Sequence, residues 1–279
     1  MTATAQDLVA AAASLERRDP GIWFARSSAP VSYPAHGNAL CLQVEDRSFW
    51  FRHRNRCIVS LVRRHGAAGP FLDVGGGNGF VAKALVAAGV DCALVEPGLD
   101  GALAAHRRGI APVICARLED ADLPEGSAGG AGLFDVLEHL EDEAAALSAI
   151  RRLLRPGGRL FITVPALGFL FSTDDLEAGH FRRYTLARLR RMLGDTGFRV
   201  DFASYLFAPL VAPVLLLRTL PSLLRLRRPG SAERAEAEHM PDGAAARAVD
   251  RLLDAEFRRL DSGRPIPFGT SCLAVATAG

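Results

Sequence analysis

Short apolar runs alternate with amphipathic stretches through the middle of the chain. The apolar runs predict strands at residues 70–74, 91–96, 112–116, 131–136 and 159–164. Between them, apolar residues recur at helical spacing and predict helices at residues 79–88, 101–108 and 141–154. Because strands and helices of this length alternate, we expect a parallel sheet with helices on both faces.

The regions before and after this alternation have a different pattern. Residues 7–18 predict an amphipathic helix that Asp19-Pro20-Gly21 ends, and residues 45–65 predict a second helix that ends at Gly66. Later in the chain we expect a helix at residues 185–196, strand 6 at 198–205, an apolar run at 206–226, a helix at 244–260 and strand 7 at 270–276. A long segment of mixed character therefore separates the last two strands.

Composition restricts the class of protein without indicating a function. The 279 residues can bury a complete core, and 49% hydrophobic with 23% charged residues is ordinary for a globular protein. A net charge of +2 gives no reason to expect nucleic acid. The start of the chain lacks the pattern of a secretory signal, so we expect a cytoplasmic protein. Scattered cysteines without a Cys-x-x-Cys pair favour buried, reduced thiols over zinc or disulfides. They are Cys41, Cys57, Cys92, Cys115 and Cys272.

A glycine-rich turn follows the first of the central strands. Its pattern is Asp-x-Gly-x-Gly-x-Gly, formed by Asp73, Gly75, Gly77 and Gly79. Glycine tolerates positive φ and lets the backbone approach a ligand, so such a turn commonly wraps a nucleotide-like cofactor. Phe80 stands where a dinucleotide site needs a third small residue, and no Gly-Lys-Ser/Thr follows. The Asp73 carboxylate disfavours a phosphate but suits a cofactor that carries ammonium and sulfonium groups.

Three segments, in this order, resemble class I S-adenosylmethionine (SAM) dependent methyltransferases. They are the glycine motif, the Asp-Val-Leu-Glu-His segment at 135–139 and the Leu-Leu-Arg-Pro-Gly-Gly turn at 153–158. The second segment is typical of a bacterial small-molecule subgroup. One position departs from the family, which often has an aspartate early in strand 4 where this chain has Gly129.

The resemblance implies an α/β fold. We expect a Rossmann-like, seven-stranded, mostly parallel sheet with strand 7 antiparallel, an N-terminal helical lid and a helical insertion between strands 6 and 7. The expected division is a lid at residues 1–66, a SAM-binding core at 67–205 and 264–279, and an insertion at 206–263.

The resemblance also implies a SAM site at the carboxyl ends of the strands. Glu96 ends the second strand, where a carboxylate can accept hydrogen bonds from ribose hydroxyls. Trp50 is expected to cover SAM, and Arg54 to meet its carboxylate through the planar guanidinium fork. Alternatively, this helix packs its aromatic side chains on the core. The predicted cofactor contacts are Asp73, Gly75, Gly76, Gly77, Gly79, Glu96, Pro97, Arg117, Leu118, Asp135, Trp50 and Arg54.

The segment after strand 5 is expected to face the methyl acceptor. Histidine is the natural base near neutral pH, and the candidates are His180 and His139, of which we favour His180. The alternative for each is a structural histidine. The predicted substrate contacts are Arg182, Arg183, Tyr184 and Phe171. Surface charge and packing are the alternative for the two arginines.

We expect in-line transfer of a methyl group to an oxygen or nitrogen of a small molecule, with natural products and lipid-like molecules as candidate acceptors. A non-catalytic SAM-binding scaffold is one alternative, and Phe80 disfavours a nicotinamide oxidoreductase. Asp135, Glu138 and His139 resemble the metal-binding segment of ubiquinone-pathway O-methyltransferases. We predict no metal, with Mg²⁺ at these three residues as the alternative.

Residues 205–228 are unusually apolar. Three prolines and Arg218 interrupt the run, so it does not read as a transmembrane span. In order of preference it caps the substrate pocket, forms a homodimer interface or lies on a membrane surface with its arginines at anionic headgroups. The expected partner is a small-molecule substrate, without nucleic acid.

Overall fold

A single mixed sheet forms the centre of the computed structural model, which describes residues 3–26, 42, 44–226 and 243–279, without the side chains of 243–246. The strands are β1 (Leu15–Arg18), β2 (Ile22–Ala25), β3 (Phe71–Val74), β4 (Cys92–Val95), β5 (Val113–Cys115), β6 (Ala128–Phe134), β7 (Leu154–Pro165), β8 (Phe198–Leu206) and β9 (Ser271–Ala278). Their order across the sheet is β1-β2-β5-β4-β3-β6-β7-β9-β8.

Helices cover both faces of this sheet. In the described part of the chain they are α1 (Ala5–Ala10), α2 (Phe49–His65), α3 (Phe80–Ala87), α4 (Leu99–Arg107), α5 (Glu143–Leu153), α6 (Thr173–Glu177), α7 (Leu186–Asp195), α8 (Val211–Val214), α9 (Leu220–Leu223) and α10 (Gly243–Asp261). A π-helical turn, Leu215–Thr219, joins α8 to α9. Short 3₁₀ turns are Leu137–His139, Gly168–Leu170 and Ala208–Leu210.

The strand order reverses between β3 and β6. From β3 the chain moves through β4 to β5 on one side, and it returns to β6 and β7 on the other. These pairs are parallel, as expected when helices connect successive strands. Every residue of β3 and β4 is buried, which explains their continuous apolar sequence. In such sheets the crevice at the reversal point is where ligands bind, so the ends of β3 and β6 locate the candidate site.

The predicted fold class is confirmed, with nine strands instead of seven. The predicted antiparallel last strand is also correct, because β9 pairs antiparallel with both β7 and β8. In the insertion the apolar run is helical, and α10 matches the helix predicted at 244–260. The division into lid, core and insertion remains a prediction.

The helix predicted at residues 7–18 is wrong. The α1 helix ends at Ala10, and Leu15–Arg18 pairs antiparallel with Ile22–Ala25. The Asp19-Pro20-Gly21 sequence is the turn of this hairpin, in which Gly21 has φ +120° and its N–H donates to Arg18 O. The second strand extends the sheet by pairing with β5, whose edge provides the hydrogen-bond partners that residues 22–25 need. The N-terminal region is therefore partly sheet and not a purely helical lid.

The α2 helix is fixed at both ends by local sequence. The Ser48 hydroxyl accepts the N–H groups of Trp50 at 3.2 Å and Phe51 at 3.4 Å. At the other end Gly66 has φ +72°, which glycine adopts without strain. Helix α2 packs along α10, and it also contacts α3 and β7.

The thiols of Cys57, Cys92, Cys115 and Cys272 are free in the structure. Cys41 lies outside the described residues. No helix among the described residues is both long enough and apolar enough to cross a bilayer.

Candidate active site

The glycine loop between β3 and α3 is packed too tightly for larger residues. Gly75, Gly77 and Gly79 have φ of +70°, +52° and +77°. A Cβ on Gly75 would lie 2.7 Å from the side chain of Val136, beyond the end of β6. A Cβ on Gly76 would lie 2.7 Å from Leu94 on β4. The loop therefore brings bare backbone to the crevice at the ends of β3 and β6.

Asp73, on β3 next to this loop, is a buried carboxylate. It is 1% exposed, and neither oxygen has a donor in good hydrogen-bond geometry among the described residues. Burial raises the pKa of Asp73 to about 7, although the Arg54 guanidinium acts in the opposite direction. A buried polar group without partners is uncommon in folded proteins, and a carboxylate has the charge that suits a cationic group.

Glu96 closes the other side of the loop. Its carboxylate accepts the N–H of Gly77 at 2.9 Å and the N–H of Gly98 at 2.8 Å. The Gly75 N–H donates to the Val95 carbonyl at 2.8 Å, which ties the loop to β4. Glu96 is thus held rigidly at the end of β4, where sequence spacing predicted it.

Arg54 reaches the same crevice from α2. Its guanidinium pairs with Asp135, which follows β6 and has φ +59°. The guanidinium carbon lies 4.9 Å from the ring centroid of Trp50 and 5.3 Å from that of Phe51. Trp50 also stacks on Phe207 at 5.2 Å. Arg54 and Asp135 therefore form an ion pair with each other. The Arg54 Nε donates to no described residue.

The remaining predicted cofactor contacts lie after β4 and β5. Pro97 follows Glu96 directly and is half-buried. Arg117 lies on the loop after β5, with 3.4 Å between its Nη2 and Glu119 Oε2. Leu118 packs against the hydrophobic core. Their contact with the cofactor remains a prediction.

His180 is held by a carboxylate from the neighbouring helix α6. Its Nδ1 lies 3.0 Å from Asp175 Oδ1. Arg183 binds the same carboxylate in bidentate fashion, at 2.8 Å through Nε and 3.0 Å through Nη2. Burial alone would raise the pKa of Asp175, but the hydrogen bonds from His180 and Arg183 lower it to about 2. Because an ionised carboxylate only accepts, the neutral His180 ring has its proton on Nδ1 and its lone pair on Nε2.

Glu138, His139 and His180 form a compact cluster beside this pair. One possible ligand atom from each lies within 4.8 Å of the others, and the two imidazole centroids are 4.8 Å apart. Burial raises the pKa of Glu138 well above its ordinary range, and the Asp135 carboxylate acts in the same direction. Burial lowers the pKa of His139 to about 4, assisted by His180. The sequence resemblance suggested Asp135, Glu138 and His139 as the alternative metal-binding set, whereas this cluster contains His180 and not Asp135.

The predicted substrate contacts are distributed unevenly. Tyr184 has no exposed surface, and its hydroxyl donates to Glu143. Burial, and then this carboxylate, raise the pKa of Tyr184 far above its ordinary range. Arg182 Nη1 lies 2.9 Å from Glu143, so both side chains contact one carboxylate. Phe171 is half-buried beside α6, and Arg183 is engaged by Asp175.

Known families match the region that contains this crevice. A family model described as "Methyltransferase domain" matches residues 45–201, which is more than half of the chain. The chain belongs to this methyltransferase family. The class I SAM-dependent family expected from the motifs is thereby confirmed.

Two curated mycobacterial relatives bear the name "probable S-adenosylmethionine-dependent methyltransferase". The one from Mycolicibacterium smegmatis is 29% identical over 62% of this chain and 68% of its own length. The one from Mycobacterium tuberculosis H37Rv is 27% identical over 64% of this chain and 66% of its own. The chain thus spans about two thirds of the length of these relatives.

The fold is shared with solved methyltransferases. Phosphoethanolamine N-methyltransferase 2 of Haemonchus contortus, solved in complex with SAM, superimposes with a TM-score of 0.55 at 16% identity. The match covers 89% of this chain and 58% of that protein. At this identity the likeness concerns the fold alone.

The residues of the methyltransferase fit SAM as its cofactor. The glycine loop leaves room only for backbone at Gly75 and Gly76, so a ligand can approach closely. The buried Asp73 carboxylate lacks hydrogen-bond partners among the described residues and suits a positively charged ligand. Glu96 lies at the end of β4, where its carboxylate can also meet hydroxyl groups.

One partner in the methyltransferase site was missed at the sequence level. Sequence reasoning assigned no role to Asp175, which holds His180. The signal that could have identified it is Ser172-x-x-Asp175, a capping box that starts α6 and fixes the Asp175 side chain. A second missed group is Glu143, which lies on α5 and accepts the hydrogen bond of the Tyr184 hydroxyl. Glu143 and Tyr184 lie far apart in the sequence, so no local motif indicated their contact.

Proposed function

We propose that this methyltransferase transfers a methyl group from SAM to an oxygen or nitrogen of a small-molecule acceptor, with His180 as the base. The observation that carries the proposal is the Asp175–His180 pair beside the crevice at the ends of β3 and β6. A fixed Nδ1–H directs the basic Nε2 lone pair of His180 toward Glu138 and His139. A carboxylate partner on Nδ1 that leaves Nε2 without a proton supports His180 as a candidate general base.

The proposed SAM site uses the glycine loop, Asp73 and Glu96. SAM supplies a methyl group on a sulfonium, which needs no further activation by the protein. Backbone at Gly75 and Gly77 would approach the cofactor, and the Glu96 carboxylate would meet the ribose. Trp50 would cover it from α2.

The acceptor side is formed by the segment around His180. His180 Nε2 would take the proton of the acceptor O–H or N–H group as the acceptor oxygen or nitrogen bonds to the methyl carbon. The carbon–sulfur bond would break at the same time, with its electron pair leaving on the sulfur of S-adenosylhomocysteine. The Asp175 carboxylate stabilises the imidazolium that results. Holding the nucleophile in line can supply a large part of the rate, and Phe171 and Arg182 border the space where the acceptor would lie.

A substitution at His180 tests this role. An acceptor is first identified by screening small hydroxyl and amine compounds for production of S-adenosylhomocysteine. We expect His180→Ala to lower kcat by about 10²–10⁴-fold while SAM affinity, measured by calorimetry, stays unchanged. His106→Ala, on α4, is the matched histidine control. Full turnover in His180→Ala would reject the base.

The cluster of Glu138, His139 and His180 favours a second candidate, a metal-assisted O-methyltransferase. A cation held there would stabilise an acceptor oxyanion. Two imidazoles and one carboxylate suit a borderline-soft divalent metal better than Mg²⁺, which prefers oxygen ligands. Exhaustive chelation followed by assay separates the candidates, because the base mechanism retains its activity. If SAM binds but no acceptor is methylated, the non-catalytic scaffold is favoured.

A further inference from the structure

The helical segment 211–223 turns its hydroxyl groups toward the protein. Thr219 is 1% exposed, and its hydroxyl donates to the Leu170 carbonyl at 3.2 Å. The Ser222 hydroxyl accepts the N–H of Thr173 at 3.0 Å. The polar side of this segment is therefore the side that contacts the rest of the protein.

The opposite side is apolar and faces solvent. Six leucines of this segment and its continuation have relative exposures between 40% and 74%. They form what we call the leucine face, which consists of Leu216, Leu217, Leu220, Leu223, Leu224 and Leu226. A surface helix of a globular protein normally shows the reverse orientation, with its apolar side on the core. Clustered exposed apolar side chains of this kind mark an interaction surface.

Elements packed against the segment add to its apolar character. Phe169, in the turn that precedes Leu170, and Leu176, on α6, are both more than half exposed. The Arg218 Nε lies 3.6 Å from Asp174 on the same helix α6. Three contacts thus fix the segment on the part of the fold that carries Asp175.

The charged residues in the sequence that carries the leucine face are all basic, and of these Arg218 is paired with Asp174 on α6. From residue 202 to residue 232 the sequence has no aspartate or glutamate, whereas it has Arg218, Arg225, Arg227 and Arg228. Arg225, at the end of the helical segment, is exposed. Apolar side chains bordered by arginines complement a lipid surface with anionic headgroups. A symmetric pair of copies would instead bring the same arginines together across its interface.

We propose that the leucine face docks on an anionic lipid surface. The leucines enter the headgroup region, and Arg225 remains at the level of the phosphates. Because the segment rests on α6, docking holds the His180 side of the enzyme close to the lipid.

Co-sedimentation of the full chain with vesicles tests the proposal. We expect binding to vesicles of equal parts phosphatidylglycerol and phosphatidylcholine, and weaker binding to phosphatidylcholine alone. Leu216→Glu and Leu223→Glu should each weaken binding at least about tenfold. Arg225→Gln should weaken it about fivefold, since one basic residue near such a surface contributes about that factor.

Matched controls come from α10. Leu252 is 53% exposed and Arg251 is also exposed, so Leu252→Glu and Arg251→Gln should bind vesicles as the unchanged protein does. Unchanged SAM affinity in every variant shows that each is folded. Equal losses in the controls would overturn the proposal.

Two further outcomes would also overturn it. One is the absence of binding to either kind of vesicle. The other is that vesicle binding is absent and sedimentation velocity shows a dimer, which Leu223→Glu dissociates. That result would mean that the leucine face contacts a second copy of the chain. Vesicle binding needs no methyl transfer, so its failure is distinct from failure of the proposed function.

Discussion

Replacing Asp73 by asparagine should stabilise the ligand-free protein at high pH while removing its affinity for SAM. The carboxyl is 1% exposed, and burial raises its pKa from an ordinary 3.8 to about 7. A raised pKa means that the folded protein holds this proton more tightly than the unfolded chain does. The resulting stability is fully present below pH 3.8 and is lost as the pH rises through about 7.

The size of the effect follows from the shift. A shift of about three pKa units corresponds to about 4 kcal/mol over the whole window. Between about pH 5 and about pH 8, the wild type should lose about 3 kcal/mol relative to Asp73→Asn. The introduced amide leaves its own polar atoms without partners, at a cost of about 1–3 kcal/mol that does not depend on pH. The comparison between the two pH values therefore isolates the carboxyl.

Urea unfolding of both proteins at each pH measures this difference. Asp195→Asn, at an exposed aspartate at the end of α7, is the control for the removal of one carboxylate. A difference between Asp73→Asn and wild type that stays constant from about pH 5 to about pH 8 would refute a raised pKa at Asp73. Retained SAM affinity would refute its role in the cofactor site.

Three other substitutions test separate parts of the structure. Gly76→Ala should abolish measurable SAM binding in calorimetry, because its Cβ would lie 2.7 Å from Leu94. The control is Gly194→Ala, whose Cβ would meet no atom within 4 Å, so this variant should bind SAM as the wild type does. Glu256→Ala should lower the free energy of unfolding in a urea titration by about 3–5 kcal/mol, because it leaves buried donors unpaired. The control is Asp254→Ala, which removes an exposed ion pair with Arg56 and should lower the free energy of unfolding by less than about 1 kcal/mol. Tyr184→Phe should lower the free energy of unfolding by about 1–2 kcal/mol in the same titration and leave SAM affinity unchanged. Full loss of turnover with unchanged stability would instead support the predicted contact between Tyr184 and the methyl acceptor.

The central fold was predictable because its signals are local. The strand predicted at residues 70–74 is Phe71–Val74 in the structure, since an apolar run and a glycine turn specify it without reference to the rest of the chain. The N-terminal hairpin was not predictable in this way. Leu15–Arg18 has a single buried residue, and its strand depends on pairing with β2 and through it with β5, far along the chain.

The site shows the same division. The local sequence placed Asp73 beside the glycine loop and Glu96 at the end of the next strand, because Asp73 lies in β3 and Glu96 directly follows β4. The burial of Tyr184 depends on Glu143 from another helix, and the pairing of Arg54 with Asp135 depends on how α2 lies across the sheet. Likewise, helical spacing cannot indicate that residues 216–226 would direct their leucines outward, because that depends on which side finds hydrogen-bond partners.

Glu256 connects α2 to the insertion. Its carboxylate lies 3.0 Å from His53 Nε2 on α2 and accepts the N–H groups of Phe207 at 2.7 Å and Ala208 at 2.8 Å. Glu256 therefore links the helix that carries Trp50 and Arg54 to the start of the apolar segment. Thermodynamic reciprocity then applies: if occupancy of the cofactor crevice changes the affinity of the leucine face for its partner, occupancy of that face changes cofactor affinity by the same factor. Measuring either affinity with and without the other ligand would give this coupling free energy directly.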